Sequence, residues 1–263
     1  MKTAKVKSLD PIAGAAHLIE TSQRIVAFTG AGISTEAGIP DFRSPDTGLW
    51  ETTGKLTQLI AFTSFGFRLF PKAFYRRGLP LLSTLLEAQP TRAHRFLTEL
   101  EEEGKLTAVV TQNIDGLHQA AGSRTVYELH GHLRSGACLA CDREYSLDDL
   151  AEHLTRRRLP PRCEDCNGVI KPRVVLFGDR LPMDDTALAF HHASRADLCI
   201  VMGSSLTVMP AAHIPAAAVA GGARLIIINR TPTPLDDRAD IVIREGLEEA
   251  ADAIGDARRR AYS

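Results

Sequence analysis

Four of the five cysteines in this chain form two closely spaced pairs. Cys138 and Cys141 make the first pair, and Cys163 and Cys166 make the second. This C-x2-C…C-x2-C spacing is typical of a zinc ion held by four thiolates on two knuckles. Because four protein ligands fill a tetrahedral site, no position remains for a substrate, and we expect the zinc to be structural. A redox dithiol would need only one of the two pairs.

A glycine-rich turn follows the first predicted strand and leads into a short helix, with the sequence Gly30-Ala31-Gly32-Ile33-Ser34. Glycines at such a turn let the backbone approach a pyrophosphate at a helix N-terminus, as in dinucleotide-binding folds. The third glycine of that pattern is absent, since Thr35 occupies its position. Taken alone, the turn is equally compatible with a tight turn that binds nothing.

Further polar motifs follow the other predicted strands. They are GIPDFR at 38–43, TQNIDGLH at 111–118, ELHG at 128–131, FGD at 177–179, GSSL at 203–206, and Asn229. An open α/β sheet binds its ligand at the carboxyl ends of its strands, so we expect these groups to converge on a ligand there. Each group taken singly is also compatible with a purely structural role.

The elements that must position these motifs alternate between strands and helices. β-Branched runs at 24–29, 107–111, 197–202, 224–228 and 240–243 predict buried parallel strands. Helical patterns occupy 11–21, 92–103, 184–194, 211–220 and 247–260. This alternation predicts an α/β fold with a Rossmann-like, doubly wound parallel sheet. The unpaired Cys199 lies within the third of these strands and is predicted to be buried.

Two segments interrupt the alternation, and we interpret both as insertions that together build a smaller second domain. The first begins at Phe42 and is rich in Phe, Gly and Pro, and the second begins at His132 and contains both cysteine pairs. Acidic residues accompany the Arg and Lys residues of the second insertion, so the basic surface of a nucleic-acid-binding ribbon is missing.

Composition argues against several other classes of protein. The 263 residues are 44% hydrophobic and 24% charged, with a formal net charge of -1, which is ordinary for a globular protein. A strongly polyanion-seeking surface is therefore not indicated, and we expect no direct binding to nucleic acid. No apolar run reaches the roughly 18 residues of a membrane span, and no signal-peptide pattern follows the N-terminal lysines. We expect a cytoplasmic protein without a membrane partner.

Together, the motifs resemble those of the sirtuins, the NAD-dependent protein lysine deacylases, and most of all the compact bacterial and archaeal deacetylases. The resemblance extends from about Ile12 to about Ala253. It implies a Rossmann-like NAD-binding domain at 1–41, 89–131 and 177–263, a helical module with a cofactor-binding loop at 42–88, and a zinc ribbon at 132–176. An NAD and acyl-lysine cleft would lie between the domains.

The resemblance also implies roles for individual residues. His130 would be the general base that activates a ribose hydroxyl, which suits an imidazole with a pKa near the working pH. Asn113 would be the second catalytic residue and would hold the ribose and a water. The NAD contacts would be Gly30, Ala31, Gly32, Ile39, Asp41, Phe42, Arg43, Gln112, Asn113, Ile114, Asp115, Gly203, Ser204, Ser205 and Asn229. The acyl-lysine peptide would meet Val175, Phe177, Gly178 and Val208, pairing as a strand with the backbone of 177–180 and 208–209. The loop 44–63 is expected to close over bound NAD.

The function that the resemblance implies is NAD-dependent deacetylation of acetylated-lysine proteins, with NAD and zinc as cofactors, and we expect the protein to be a monomer. The products would be nicotinamide, 2′-O-acetyl-ADP-ribose and deacetylated lysine. A longer-chain deacylase and a mono-ADP-ribosyltransferase are the alternatives among enzymes. A non-catalytic zinc module that senses NAD or binds nucleic acid is the alternative of another class. Relatives that prefer succinyl-lysine carry a tyrosine followed three residues later by an arginine. Here Gly78 stands three residues after Tyr75, so we expect acetyl to be preferred.

Overall fold

The computed structural model describes residues 10–41, 61–155 and 159–262. Its elements in chain order are α1 (Pro11–Thr21), β1 (Ile25–Thr29), a 3-10 helix (Ala31–Ala37), α2 (Ser64–Leu69), α3 (Pro71–Glu87), α4 (Arg92–Glu102), β2 (Leu106–Thr111), α5 (Leu117–Ala120), β3 (Val126–Glu128), β4 (Gly131–Cys138), β5 (Glu144–Ser146), α6 (Leu147–Thr155), β6 (Ile170–Val174), α7 (Met183–Arg195), β7 (Leu198–Met202), α8 (His213–Ala220), β8 (Arg224–Ile228), a 3-10 helix (Asp236–Arg238), β9 (Ile241–Ile243) and α9 (Leu247–Tyr262). No helix among these described residues has both the length and the apolar character of a membrane span.

Six of these strands form one parallel sheet in the order β3-β2-β1-β7-β8-β9. Numbered by their order along the chain, the strands have the 3-2-1-4-5-6 order of the Rossmann fold. Successive strands are added in one direction from β1 to β3 and in the opposite direction from β7 to β9, so the strand order reverses between β1 and β7. The predicted α/β fold with a doubly wound sheet is confirmed. The crevice at this reversal is the place where such a sheet binds its ligand.

Both faces of the sheet are covered, which explains the continuous apolar character of its strands. In β1, Ile25 and Ala27 belong to a core shared with α1, α4 and α9. Val26 and Phe28 point to the opposite core, which α7 and α8 complete. Cys199 is 1% exposed within β7, so its predicted burial is confirmed.

The strand β3 is the one strand of this sheet that the sequence patterns do not predict. It has three residues, of which Val126 and Tyr127 are only partly buried, and it forms the edge beside β2. An edge strand this short gives no periodic apolar signal. The predicted helices agree with the structure to within two residues at each end.

The smaller part of the fold combines the ribbon with the helices α2 and α3. The strands β5, β4 and β6 form a separate antiparallel sheet in that order. Phe67 and Phe74 of the helices pack edge to face with ring centroids 5.1 Å apart. They share a core with Val174 and Leu176, which end and follow β6. The two insertions of the sequence therefore pack against each other through a common apolar cluster.

Candidate active site and zinc centre

The loops that follow β1, β2 and β7 meet at the reversal point of the sheet. The N–H of Gly30 donates to Met202 O over 3.2 Å, and the N–H of Gln112 donates to Thr29 O over 3.0 Å. The motifs GAGIS, TQNIDGLH and GSSL follow these same strands. The structure thus brings together three motifs that are widely separated in the sequence.

Glycines at this edge of the sheet are needed for the contact between the loops themselves. A Cβ on Gly30 would lie 2.8 Å from Gly203 O. Gly203 has a φ of 63°, and a Cβ there would lie 2.5 Å from Ile33 N. The N–H groups of Gly30 and Gly32 already donate to Met202 O and Gly203 O. These two N–H groups are therefore engaged within the protein, and the approach of the loop backbone to a pyrophosphate stays a prediction that other groups of the loop would have to fulfil.

Asn113 and Asp115 are linked through the buried hydroxyl of Ser34. The Nδ2 atom of Asn113 donates to Ser34 Oγ over 3.1 Å and to Gly30 O over 3.2 Å. Ser34 Oγ donates in turn to Asp115 Oδ2 over 2.7 Å. Because both N–H groups of the Asn113 amide are used, its Oδ1 is the acceptor that remains for a ligand hydroxyl or a water. Burial raises the pKa of Asp115, against the hydrogen bonds from Leu117 N–H and Ser34.

His130 is held by a single ring nitrogen. Its Nδ1 lies 2.9 Å from Gln112 O, and its backbone carbonyl accepts the N–H of Val175 over 2.8 Å. A carbonyl oxygen can only accept, so Nδ1 carries the proton, and in the neutral ring Nε2 has a free lone pair. Burial lowers the pKa of His130, which favours this neutral form. A neutral ring with a free Nε2 lone pair is compatible with the predicted role of His130 as a general base.

The direction of this pKa shift predicts the pH dependence of the enzyme. The neutral base is fully available above its lowered pKa and is lost as the pH falls through that pKa. We therefore expect the acid limb of kcat/KM for NAD to have its midpoint below 6.5, the ordinary value for histidine. A pH profile from 5 to 9 measures it, with His130→Asn as the control whose residual activity should lack this limb. A midpoint above 6.5 would mean that another group controls the reaction.

Several other predicted NAD contacts make hydrogen bonds within the protein. Gln112 Nε2 donates to Ser204 Oγ over 2.8 Å, and Ser205 Oγ lies 2.9 Å from Thr207 Oγ1. Asn229 Nδ2 donates to Thr231 O over 2.8 Å, which leaves Oδ1 of Asn229 as an acceptor. These side chains are therefore positioned by the protein itself.

The remaining predicted cofactor contacts differ in burial. Ile39 is 7% exposed, and Ala31, Asp41 and Ile114 are partly buried. Ile114 also packs against the core shared by the helices and the ribbon. Phe42, Arg43 and nearly all of the predicted closing loop 44–63 lie outside the described residues.

The pairing of the substrate peptide with 177–180 stays a prediction, but the backbone of Phe177 is already engaged within the protein. The N–H of Phe177 donates to Phe62 O over 3.0 Å, and its carbonyl accepts the N–H of Ser64 over 2.9 Å. The backbone of Phe177 is thus paired with the helical module, because a short parallel bridge forms there, and it cannot also pair with a peptide. The side chain of Phe177 remains 49% exposed, and Gly178 beside it has a φ of 93°. Val175 and Val208 are partly buried.

The four paired cysteines form a compact cluster. Their Sγ atoms all lie within 4.8 Å of one another. The Sγ atoms of Cys138 and Cys166 are 3.4 Å apart, and those of Cys141 and Cys163 are 3.6 Å apart. Tetrahedral zinc with Zn–S bonds of about 2.3 Å requires thiolates about 3.8 Å apart, so the cluster fits zinc. A Cβ on Gly168 would lie 2.6 Å from Cys138 Sγ, so one knuckle requires glycine there.

The zinc ribbon is connected directly to the candidate base. Strand β4 begins at Gly131, whose φ is 73° and whose Cβ, if present, would lie 2.0 Å from Arg173 O. On β4, Arg134 makes a bidentate ion pair with Glu128 of β3, with Nη1 2.8 Å from Oε1. His130 lies between these two residues in the sequence. The ribbon therefore helps to hold the backbone at His130, whose carbonyl accepts the N–H of Val175.

Two residues that help to build the site, Ser34 and Glu128, are absent from the catalytic and NAD-binding residues predicted from the sequence. Ser34 is fully buried and joins Asn113 to Asp115, and Glu128 is 6% exposed and holds Arg134. Both lie within motifs that the sequence shows, GAGIS and ELHG. Their position in those motifs is the only sequence signal for a role.

Sheet order and site together define a Rossmann-type dinucleotide-binding protein with a four-thiolate zinc ribbon. The family model described as "Sir2 family" matches residues 30–210. "NAD-dependent protein deacetylase 2" of Caldanaerobacter subterraneus subsp. tengcongensis is 50% identical over 234 residues, which cover 88% of this chain and 89% of the relative. The chain belongs to the Sir2 family.

Two solved structures agree with this assignment. A complex of Sir2 with a p53 peptide and NAD+ has a TM-score of 0.85 and 40% identity, covering 94% of this chain and 97% of that one. A complex of Sir2 with the inhibitor EX-527, 2′-O-acetyl-ADP-ribose and deacetylated p53 peptide has a TM-score of 0.82 and 39% identity, covering 94% and 98%.

Proposed function

We propose that the protein is an NAD-dependent protein lysine deacetylase, with nicotinamide, 2′-O-acetyl-ADP-ribose and deacetylated lysine as products. The observation that carries this proposal is the hydrogen bond from His130 Nδ1 to Gln112 O, because it leaves Nε2 free as a base at the carboxyl ends of β2 and β3. The similar Sir2 proteins are named as deacetylases or are bound to NAD+ and 2′-O-acetyl-ADP-ribose.

In this proposal, bound NAD supplies an electrophilic ribose carbon and nicotinamide as the leaving group. Asn113 Oδ1 accepts a hydrogen bond from a ribose hydroxyl or a water, since its N–H groups are engaged with Gly30 and Ser34. His130 Nε2 removes a proton from a ribose hydroxyl and so makes that oxygen nucleophilic. Loop residues of the sets 30–43, 112–115 and 203–205, together with Asn229, form the NAD-binding surface.

The acetylated peptide lies, in the same proposal, between Gly178 and Val208. Phe177 contributes its exposed side chain rather than its backbone. Residues 1–41, 89–131 and 177–263 form the NAD-binding domain, and 42–88 and 132–176 form the smaller one. A monomeric state and a cytoplasmic location belong to this proposal as predictions from the sequence, and light scattering and cell fractionation test them.

Acetyl-lysine should be a better substrate than succinyl-lysine. The hydroxyl of Tyr75 donates to Ile170 O over 2.6 Å within the aromatic cluster, and burial raises its pKa. Tyr75 is therefore engaged, and Arg76 instead lines a separate groove with Phe70 and Arg162. An unpaired carboxylate in an apolar tunnel costs several kcal/mol, so kcat/KM should be at least about tenfold lower for succinyl.

Steady-state kinetics on one peptide carrying either acyl group measure this preference. Arg76→Ala is the matched control, and we expect it to leave the ratio of the two kcat/KM values unchanged. A succinyl value equal to the acetyl value would contradict the predicted preference, and a ratio that changes in Arg76→Ala would place Arg76 in the acyl site.

Mass spectrometry tests the reaction class itself. Purified protein, NAD and an acetyl-lysine peptide should give a peptide lighter by one acetyl group and one acetylated ADP-ribose per turnover. A peptide that gains ADP-ribose while keeping its acetyl group would support the transferase alternative instead. Consumption of NAD with neither product would contradict both.

A further inference from the structure

A chain of buried hydrogen bonds runs beneath the site from His118 to the backbone of Asn113. Thr29 of β1 and Thr111 of β2 are paired in the parallel register. Thr29 Oγ1 donates to Thr111 Oγ1 over 2.8 Å, and His118 Nε2 lies 2.9 Å from Thr29 Oγ1. Thr111 Oγ1 accepts the N–H of Asn113 over 3.0 Å. Thr29, Thr111 and His118 are at most 2% exposed, so water does not compete with these bonds.

The direction of each bond fixes the tautomer of His118. Thr29 has one hydroxyl proton and gives it to Thr111, so it can only accept from His118. The ring proton of His118 therefore lies on Nε2. Burial lowers the pKa of His118 well below its ordinary value, which keeps the ring neutral. His118 therefore donates to Thr29 and Thr29 donates to Thr111, whose hydroxyl oxygen also accepts the N–H of Asn113.

A second buried histidine packs on the first and is fixed in the same way. The ring centroids of His94 and His118 are 4.7 Å apart. Nδ1 of His94 accepts the N–H of Thr91 over 3.2 Å, so its proton lies on Nε2. Among the described atoms, His94 Nε2 and His118 Nδ1 have no partner, and they are a donor and an acceptor respectively. The two neutral rings therefore pack on each other without a hydrogen bond between them.

We infer that His118 and Thr111 are positioning residues for Asn113. The side chain of Asn113 is held by Gly30 and Ser34, and its backbone is held by Thr111, so the two ends are fixed independently. The hydroxyl of Thr111 can accept from Asn113 while it also accepts from Thr29, and His118 keeps Thr29 in the donating orientation. This inference rests on the proposed role of Asn113 at the NAD ribose.

Thr111→Val removes the acceptor while keeping the shape of the side chain. The buried N–H of Asn113 then has no partner, which displaces the residue. We expect kcat/KM for NAD to fall about tenfold or more, with KM for the acetylated peptide unchanged. Thr111→Ser keeps the hydroxyl and is the matched control, which should stay within about twofold of the wild type.

A double-mutant cycle separates positioning from general destabilisation. In an Asn113→Ala background, Thr111→Val should cause no further loss of NAD affinity, measured as Kd by calorimetry. Amide hydrogen exchange gives a readout without catalysis, since the Asn113 N–H should exchange faster in Thr111→Val than in Thr111→Ser. For His118, Gln keeps a donor near the Nε2 position and Leu does not, so His118→Gln should retain more activity than His118→Leu.

Thr111→Val with wild-type kcat/KM would overturn the inference, as would equal losses of NAD affinity in the two backgrounds. If His118→Leu does not fold, the comparison of Thr111→Val with Thr111→Ser and the amide exchange of Asn113 still test the inference. Failure of the proposed function is distinguishable, because the wild type would then lack deacetylation while the exchange of the Asn113 amide still tests the hydrogen-bond chain.

Discussion

Replacing His130 with alanine should lower kcat for deacetylation by about a hundredfold or more while the protein still folds and binds NAD. A positioned general base contributes about 10²- to 10⁴-fold, and it acts in the chemical step rather than in binding. The structure supports this role because the Nδ1–H of His130 is committed to Gln112 O and Nε2 is not. Single-turnover deacetylation, NAD calorimetry and thermal unfolding together measure the effect.

His130→Asn gives a sharper form of the same experiment. The amide nitrogen of asparagine can occupy the place of Nδ1 and keep the bond to Gln112 O, but asparagine is not a base. It should be as inactive as alanine and closer to the wild type in stability. His17→Ala, at an exposed position on α1, is the control for loss of a histidine. Near-normal turnover in His130→Asn would return His130 to a structural role.

Removing the zinc should unfold the ribbon and abolish activity. Structural zinc sites contribute on the order of 10 kcal/mol or more to the folding of small modules, which is comparable to the stability of a whole domain. Because β4 begins one residue after His130, and Val175 N–H binds His130 O, loss of the ribbon releases the base. Activity, circular dichroism and bound zinc should fall together during chelation.

Cysteine variants separate this effect from nonspecific damage by a chelator. Cys163→Ser should lose zinc and activity together. Cys199→Ala removes the cysteine that lies outside the cluster and should keep the metal. Return of activity on adding zinc would show that folding is the cause. Full activity in protein shown by elemental analysis to be free of metal would contradict the prediction.

The sequence determined those features whose physical cause is local. Strands buried on both faces must be apolar throughout, so the runs around Phe28 and Val201 already indicate a parallel sheet. A pair of cysteines two residues apart supplies two thiolates from one turn of the chain, so two such pairs specify a zinc site without knowledge of the fold. The motifs at the strand ends likewise predicted where a ligand would bind, because topology places those ends together.

The tertiary structure decided which atoms of these motifs are free and which are engaged. Ser34 and Asp115 are 81 residues apart in the sequence, and Thr29 and His118 are 89 apart, yet each pair forms a buried hydrogen bond. Backbone pairing of Phe177, the loop contact made by Gly203 and the tautomer of His130 depend on distant partners in the same way. A residue type states what a side chain can donate or accept, whereas the packing of parallel strands and of the ribbon determines which partner is within reach and which atom remains for the substrate.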